Sequence, residues 1–216
     1  MTRRLVLWRH GQTAWNAEKR FQGQRDVDLD ATGVAQARIA AGMLAQLPPT
    51  AIVSSDLSRA RVTAEALAEA TRLPVTYDAR LRETDAGEWQ GLARPELMAR
   101  FAGEVAAWAA GSDLRPGGGE RRSEVAARMT AAIGDAFDRL DEPDPTLVVV
   151  SHGGAARAAV GQLLGLPMEH WAILGVLTNC AWSVLTERVD GDGTEYWRLE
   201  EYNARSLPQT AFGDDQ

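Results

Sequence analysis

Two of the three histidines in this chain occupy the same kind of position. His10 follows the apolar run Leu5-Val-Leu-Trp8 and Arg9, and directly precedes Gly11. His152 follows Thr146-Leu-Val-Val-Val150 and Ser151, and directly precedes Gly153. In an open parallel sheet, ligand sites form outside the carboxyl ends of the strands, so both imidazoles are expected to face one crevice. Arg9 adjoins His10, and Arg59 lies near the start of the helix expected after Ile52-Val53. Two histidines and two arginines at one sheet edge suit an anion. Arginine's planar fork matches phosphate oxygens, and helix N-termini add backbone N–H donors. Glu83, in Leu81-Arg-Glu-Thr84, contributes a group able to give and take a proton. His170, beside Trp171 in an irregular segment, is expected to be structural.

Other chemistries lack their residues. The chain has no Gly-x-Gly-x-x-Gly after a strand and no Walker Lys-Ser/Thr, so Gly153-Gly154 is not a nucleotide loop. It has no His-Glu-x-x-His, and histidines flanked by arginines make a poor cation site; no metal and no cofactor are expected. A net charge of −7 argues against nucleic-acid or anionic-membrane partners, while a few cleft arginines can still draw in a small anion. No run approaches the roughly 20 apolar residues of a membrane helix. The first ten residues are too polar for a signal-peptide core, and a single cysteine fits a reducing compartment. A cytoplasmic location is expected, with Cys180 a small buried residue in a strand.

The elements needed to position these residues alternate. Leu5 to Trp8 reads as a buried strand opening into a loop. An alanine-rich helix runs to Leu47, capped by Asp30 or Thr32 and stopped by Pro48-Pro49. A strand at 51–55, a helix at 56–70 and a strand at 73–77 follow. Residues 84 to about 120 interrupt the rhythm with a helix from Pro95 to about Ala110, flanked by Gly87, Gly91 and Pro116-Gly-Gly-Gly119, and are expected to form a lid. Val125, Met129, Ala132, Ile133 and Phe137 give one face of an amphipathic helix over 120–140. Thr146 to Val150, apolar and β-branched, belongs at the centre of a sheet covered on both sides. A helix over 155–164 and two closing strands, 181–186 and 195–200, complete an α/β domain at 1–205, with 206–216 a polar tail. At 216 residues one hydrophobic core suffices.

These residues also carry a resemblance. Arg9-His10-Gly11-Gln12-Thr13 with Asn16 and Arg20-Phe-Gln22-Gly23 is similar to the signature of the histidine phosphatase superfamily, phosphoglycerate mutase-like branch. The likeness continues through Ser54-Ser-Asp-Leu-Ser-Arg59-Ala60, Leu81-Arg-Glu83 with Gly87-Glu-Trp-Gln-Gly91, and Ser151-His152-Gly153-Gly154. It implies a three-layer α/β/α sandwich with a mostly parallel sheet, and a metal-independent phosphatase passing through a phosphohistidine. His10 would be the nucleophile, Glu83 the proton donor, and Arg9, Arg59 and His152 the phosphate pocket, with Asn16, Gln22 and Gly153 adding substrate contacts. Relatives often carry Gly-Gly-Glu-Ser where this chain has Gly118-Gly-Glu-Arg121. Arg121 is taken as a substrate contact, with Arg115 and Arg122 further candidates for a second anionic group. Trp89, Gly91, Leu92 and 111–122 are expected to cover the cleft. The interval between Glu83 and His152 is shorter than in the mutases of the family, which points to hydrolysis. Asn179-Cys-Ala-Trp182-Ser and Trp197-Arg-Leu199 are similar to an actinobacterial subfamily acting on a glucosylated phosphoglycerate, which implies a phosphorylated small molecule, a sugar or carboxylate phosphate, as substrate. A homodimer is the expected assembly.

Overall fold

The computed structural model describes residues 2–205, and the tail expected at 206–216 lies outside the described residues. In chain order the elements are β1 (Arg4–Arg9), α1 (Ala14–Ala17), α2 (Ala31–Leu44), β2 (Ala51–Ser54), α3 (Ser58–Thr71), β3 (Val75–Tyr77), α4 (Arg94–Ala109), α5 (Arg122–Phe137), β4 (Thr146–Ser151), α6 (Gly153–Leu163), β5 (Trp182–Val189) and β6 (Glu195–Ala204). Short 3₁₀ turns at Ala79–Leu81, Gly87–Trp89, Pro116–Gly118 and Met168–Ile173 bridge the gaps.

The six strands form one sheet in the order β3-β2-β4-β1-β5-β6. β3, β2, β4 and β1 are parallel neighbours, and β5 runs antiparallel to β1 and β6. β4 is buried along its whole length between β1 and β2, the place its uninterrupted Leu-Val-Val-Val run requires. Leu5, Leu7, Leu147 and Val149 face the core under α5 and α6, whereas Val6, Trp8, Val148 and Val150 face the core under α2 and α3. The period of two within each strand thus divides the apolar residues between two cores. The α5 stripe at Val125, Met129, Ala132, Ile133 and Phe137 is buried as its spacing predicts.

Asp30 is the cap of α2, its Oδ1 accepting from Gly33 N at 2.8 Å. The helix closes at Leu44, short of the expected Leu47. Cys180 departs further from expectation. It is buried, but it sits in the turn before β5 at φ 56°, and its N–H donates to His10 O at 3.1 Å. Burial pushes its thiol up to about 12, so it stays a neutral, apolar filler.

Candidate active site

β1 and β4 are adjacent and parallel, and Arg9 pairs in register with Ser151. His10 and His152 therefore leave the sheet side by side, and their ring centroids lie 5.1 Å apart. The loop after β1 is fixed from several sides. His10 N–H donates to Ser151 O at 3.0 Å, and Asn179 Nδ2 donates to His10 O and Gly11 O, each at 3.1 Å. Gly11 packs against Gly33 in the first turn of α2, where a Cβ on Gly11 would stand 2.4 Å from Gly33 O. No other residue fits there without moving the loop.

His10 is 3% exposed, and its Nδ1 lies 2.7 Å from Gly11 O. A carbonyl only accepts, so Nδ1 carries the proton and Nε2 keeps its lone pair. Burial, with Arg59 and then Arg9 nearby, holds this imidazole well below its ordinary 6.5, although the Gly11 bond works the other way. His10 is thus neutral and nucleophilic at neutral pH.

Arg59 is fully buried near the start of α3. Its Nη1 donates to Arg25 O at 2.7 Å, its Nη2 to Gly23 O at 2.8 Å, and its Nε to His152 Nδ1 at 3.3 Å. Burial lowers it to about 10, which still leaves it charged near neutrality, while the fields of Glu83 and Asp26 favour the cation. Arg9 Nη1 donates to Leu177 O at 2.5 Å, and both arginines line the cleft beside His10.

His152 takes a different position from the one expected. It is fully buried and is not among the cleft-lining residues, because both ring nitrogens are engaged by protein. Nδ1 accepts from Arg59, which leaves the proton on Nε2, 2.9 Å from Ser55 Oγ. His152 is therefore bonded to Arg59 and lies beside the His10 ring. Gly153 is likewise set back from the cleft; a Cβ there would stand 2.6 Å from Val176 Cγ1, so its role is close packing. Arg121 is a correction of a plainer kind. It precedes α5, is exposed, and donates from Nη1 to Asp113 O at 2.9 Å, away from the cleft, whereas its neighbour Arg122 lines it.

Glu83 sits across the cleft at the N-terminus of α6. Its Oε1 accepts from Thr84 N at 2.8 Å and Ala155 N at 2.9 Å, and its Oε2 accepts from Gly154 N at 3.0 Å. The contact is so close that a Cβ on Gly154 would come 2.8 Å from Oε1. Asn16 and Gln22 both line the cleft. Asn16 Oδ1 accepts from Thr13 N and from Asn179 Nδ2 at 3.1 and 3.2 Å, and buried Gln22 Oε1 has no hydrogen-bond partner among the described residues.

Two residues that the sequence reading did not assign hold this arrangement. Arg128 on α5 donates from Nη1 to Arg80 O and Arg82 O at 2.6 and 2.7 Å, from Nη2 to Glu83 O at 2.9 Å, and from Nε to Glu120 Oε1 at 2.9 Å. It fixes the turn that carries Glu83, and its only sequence signal was a cation beside the apolar stripe. Asn179, with its three bonds around His10, stood in the sequence only within a run that carries the resemblance, with no role of its own.

The cleft has a volume of ≈ 1020 Å³, and its far wall is α4 (Arg94, Leu97, Met98, Val105 and Trp108) together with Trp89. Gly91, Leu92 and residues 111–121, expected to cover the cleft, do not line it. Leu92 instead packs against the aromatic cluster of Phe21, Trp89 and Trp108 that supports the wall. A sequence profile of the histidine phosphatase superfamily (branch 1) matches residues 5–204. The chain belongs to that superfamily. Within it, the chain is 42% identical to a glucosyl-3-phosphoglycerate phosphatase of Mycolicibacterium vanbaalenii, over 94% of this chain and 95% of that protein. It is 38% identical to a probable phosphoglycerate mutase of Salmonella paratyphi C, over 82% and 81% of the two chains. Among solved structures, a mycobacterial glucosyl-3-phosphoglycerate phosphatase with VO3 superposes with a TM-score of 0.87 at 42% identity, covering 94% of this chain and 99% of that one.

One consequence for this histidine phosphatase concerns stability. His10 and His152 are both held well below 6.5, so below that pH the unfolded chain binds more protons than the folded one. Stability is fully present above about pH 6.5 and falls as the pH drops towards the folded-state values, by up to about 1.4 kcal/mol per pH unit for each histidine. Urea melts from about pH 7 to about pH 5 should show this loss, with a shallower slope in His10→Gln. Equal slopes in the two proteins would mean that His10 is not held neutral by the fold.

Proposed function

We propose that this protein hydrolyses a small-molecule phosphomonoester through a phosphohistidine at His10, without a metal, and that the ester is glucosyl-3-phosphoglycerate or a close analogue. The observation that carries the reaction is the direction of one lone pair. Gly11 O fixes the proton on Nδ1, and Nε2 is left beside the guanidinium groups of Arg9 and Arg59.

His10 Nε2 attacks phosphorus in line, and the P–O ester bond breaks. Arg9 and Arg59 meet the charge on the equatorial oxygens; they do so as fixed, partly desolvated cations, with no reorganisation during reaction. The leaving oxygen takes a proton from Glu83. Oε1 already accepts two N–H bonds and Oε2 one, so Oε2 has the room to carry that proton. Water then attacks the phosphohistidine and gives a proton back to Glu83. The P–N bond breaks, its electron pair returns to Nε2, and inorganic phosphate leaves.

The substrate reading is supported by the 42% identity to the Mycolicibacterium phosphatase along nearly the full length of both proteins, and the phosphoryl site by solved complexes of a similar mycobacterial phosphatase with VO3 and inorganic phosphate. The cleft is far larger than a phosphate needs, and its walls include Trp15, Trp89, Trp108 and Trp171, apolar surfaces that suit a sugar ring. A cytoplasmic location fits the single, neutral, buried thiol.

The test is a panel of phosphomonoesters assayed for released inorganic phosphate in the presence of a chelator. Glucosyl-3-phosphoglycerate should show the highest kcat/KM. If phosphate instead moved between hydroxyls of phosphoglycerate without release, the mutase reading suggested by the Salmonella relative would replace this one. If activity vanished in chelator and returned with a divalent ion, the metal-free mechanism would be wrong.

A further inference from the structure

Three acceptors converge on the NH2 group of Asn179. Its Nδ2 donates to His10 O and Gly11 O at 3.1 Å each, and to Asn16 Oδ1 at 3.2 Å. Backbone groups settle which end of each amide is which. The N–H of Thr13 meets the Asn16 side chain at 3.1 Å, and an N–H only donates, so the atom it meets is Oδ1. Asn179 faces that oxygen and two carbonyl oxygens, so the atom it presents is Nδ2. The Asn16 amide is thus held at its oxygen end, where Thr13 Oγ1 also donates at 3.1 Å, and its NH2 makes no hydrogen bond among the described residues. Both asparagines line the cleft with His10.

The turn that carries Asn179 is itself tied down on both sides. Cys180 N–H donates to His10 O at 3.1 Å, Arg9 N–H donates to Ala181 O at 2.9 Å, and Thr178 N–H donates to Asn203 Oδ1 on β6 at 2.9 Å. The Asn179 side chain therefore keeps a fixed place relative to the nucleophile, although 163 residues separate it from Asn16. We propose that Asn179 is a positioning residue for phosphoryl transfer: it ties the Asn16 amide to the nucleophile loop and keeps the NH2 of Asn16, not its oxygen, turned to the phosphoryl oxygens. A reversed Asn16 would set a carbonyl dipole against the same anion that Arg9 and Arg59 stabilise. The assignment rests on the phosphatase reading, since that reading is what places a phosphoryl group beside His10.

The test is a double-mutant cycle read in two ways, by calorimetric affinity for inorganic phosphate and by the burst rate with p-nitrophenyl phosphate. Asn179→Ala should lower both by about 10- to 100-fold, the range for a hydrogen bond to a charged group. In an Asn16→Ala background the same substitution should cost less than about threefold, because the group it acts through is gone. A merely structural role lowers both backgrounds by one factor, so equal factors would overturn the assignment. The wild type supplies a reading that needs no variant to fold. Titration of isotope-labelled protein with inorganic phosphate should shift the side-chain NH2 signals of Asn16 in its nuclear magnetic resonance spectrum, and signals unmoved at saturation would also overturn it. Coupling in phosphate binding without hydrolysis of any ester would refute the phosphatase reading and keep the positioning role. Hydrolysis through a phosphohistidine with an additive cycle would do the reverse.

Discussion

His10→Ala is expected to lower kcat/KM by roughly 10⁴-fold or more, because no covalent intermediate can form and only binding and charge stabilisation remain. Rapid quenching of wild-type protein with labelled substrate should trap phosphate in an acid-labile, alkali-stable form, as a phosphoramidate requires, and the variant should trap none. The geometry allows no easy substitute. His152 is 5.1 Å away ring to ring, does not line the cleft, and has both nitrogens engaged by Arg59 and Ser55. Label that survived in His10→Ala would show that His152 or another group is the nucleophile. His10 is buried between charged neighbours, so the melting temperature of the variant is needed to separate lost chemistry from lost fold.

The second large effect is selective for the leaving group. Without Glu83 as acid, an alkyl phosphate must expel an unprotonated alkoxide, and the phosphorylation step should slow by about 10²- to 10⁴-fold. An aryl ester such as p-nitrophenyl phosphate leaves readily as the anion and should lose far less in the pre-steady-state burst. Steady-state rates can fall for both, because in the proposed mechanism Glu83 also takes the proton from the water that clears the phosphohistidine. The choice of variant matters. Glu83→Gln can keep Oε1 towards Thr84 and Ala155, but it then turns an NH2 group onto the Gly154 N–H, donor against donor at a position where the oxygen lies 3.0 Å away. Glu83→Ala should therefore be measured beside it. Equal burst losses for alkyl and aryl esters in both variants would remove Glu83 from the acid role.

Much of this was legible along the chain. The strands could be read because an apolar, β-branched run such as Thr146 to Val150 has few ways to be buried except at a sheet centre. The helices could be read from apolar spacing and from caps such as Asp30. The pairing of His10 with His152 followed from position alone. Both end strands of one parallel sheet, and parallel neighbours deliver their next residues to the same edge. Glu83 and Arg59 could be listed as candidates by residue type and by resemblance, since each sits just past a strand.

What could not be read was orientation and what each side chain is bonded to. Nothing in the order of residues shows that His152 gives both nitrogens to Arg59 and Ser55, or that Arg121 turns out to Asp113 while Arg122 turns in. Arg121 is the extended cap before α5 and Arg122 its first helical residue, so the two side chains leave in different directions, and Arg122 is the one that packs over Trp108 at the cleft. Arg128 and Asn179 were hidden for the same reason, since their bonds reach backbone carbonyls at sequence separations of 45 and 168 residues. Sequence by itself determined the strand ends, the residue types gathered at them and hence the reaction class. Tertiary structure decided the proton on His10 Nδ1, the bonds of His152 to Arg59 and Ser55 and the entry of Arg122 into the cleft, because those depend on groups brought together only when the chain is folded.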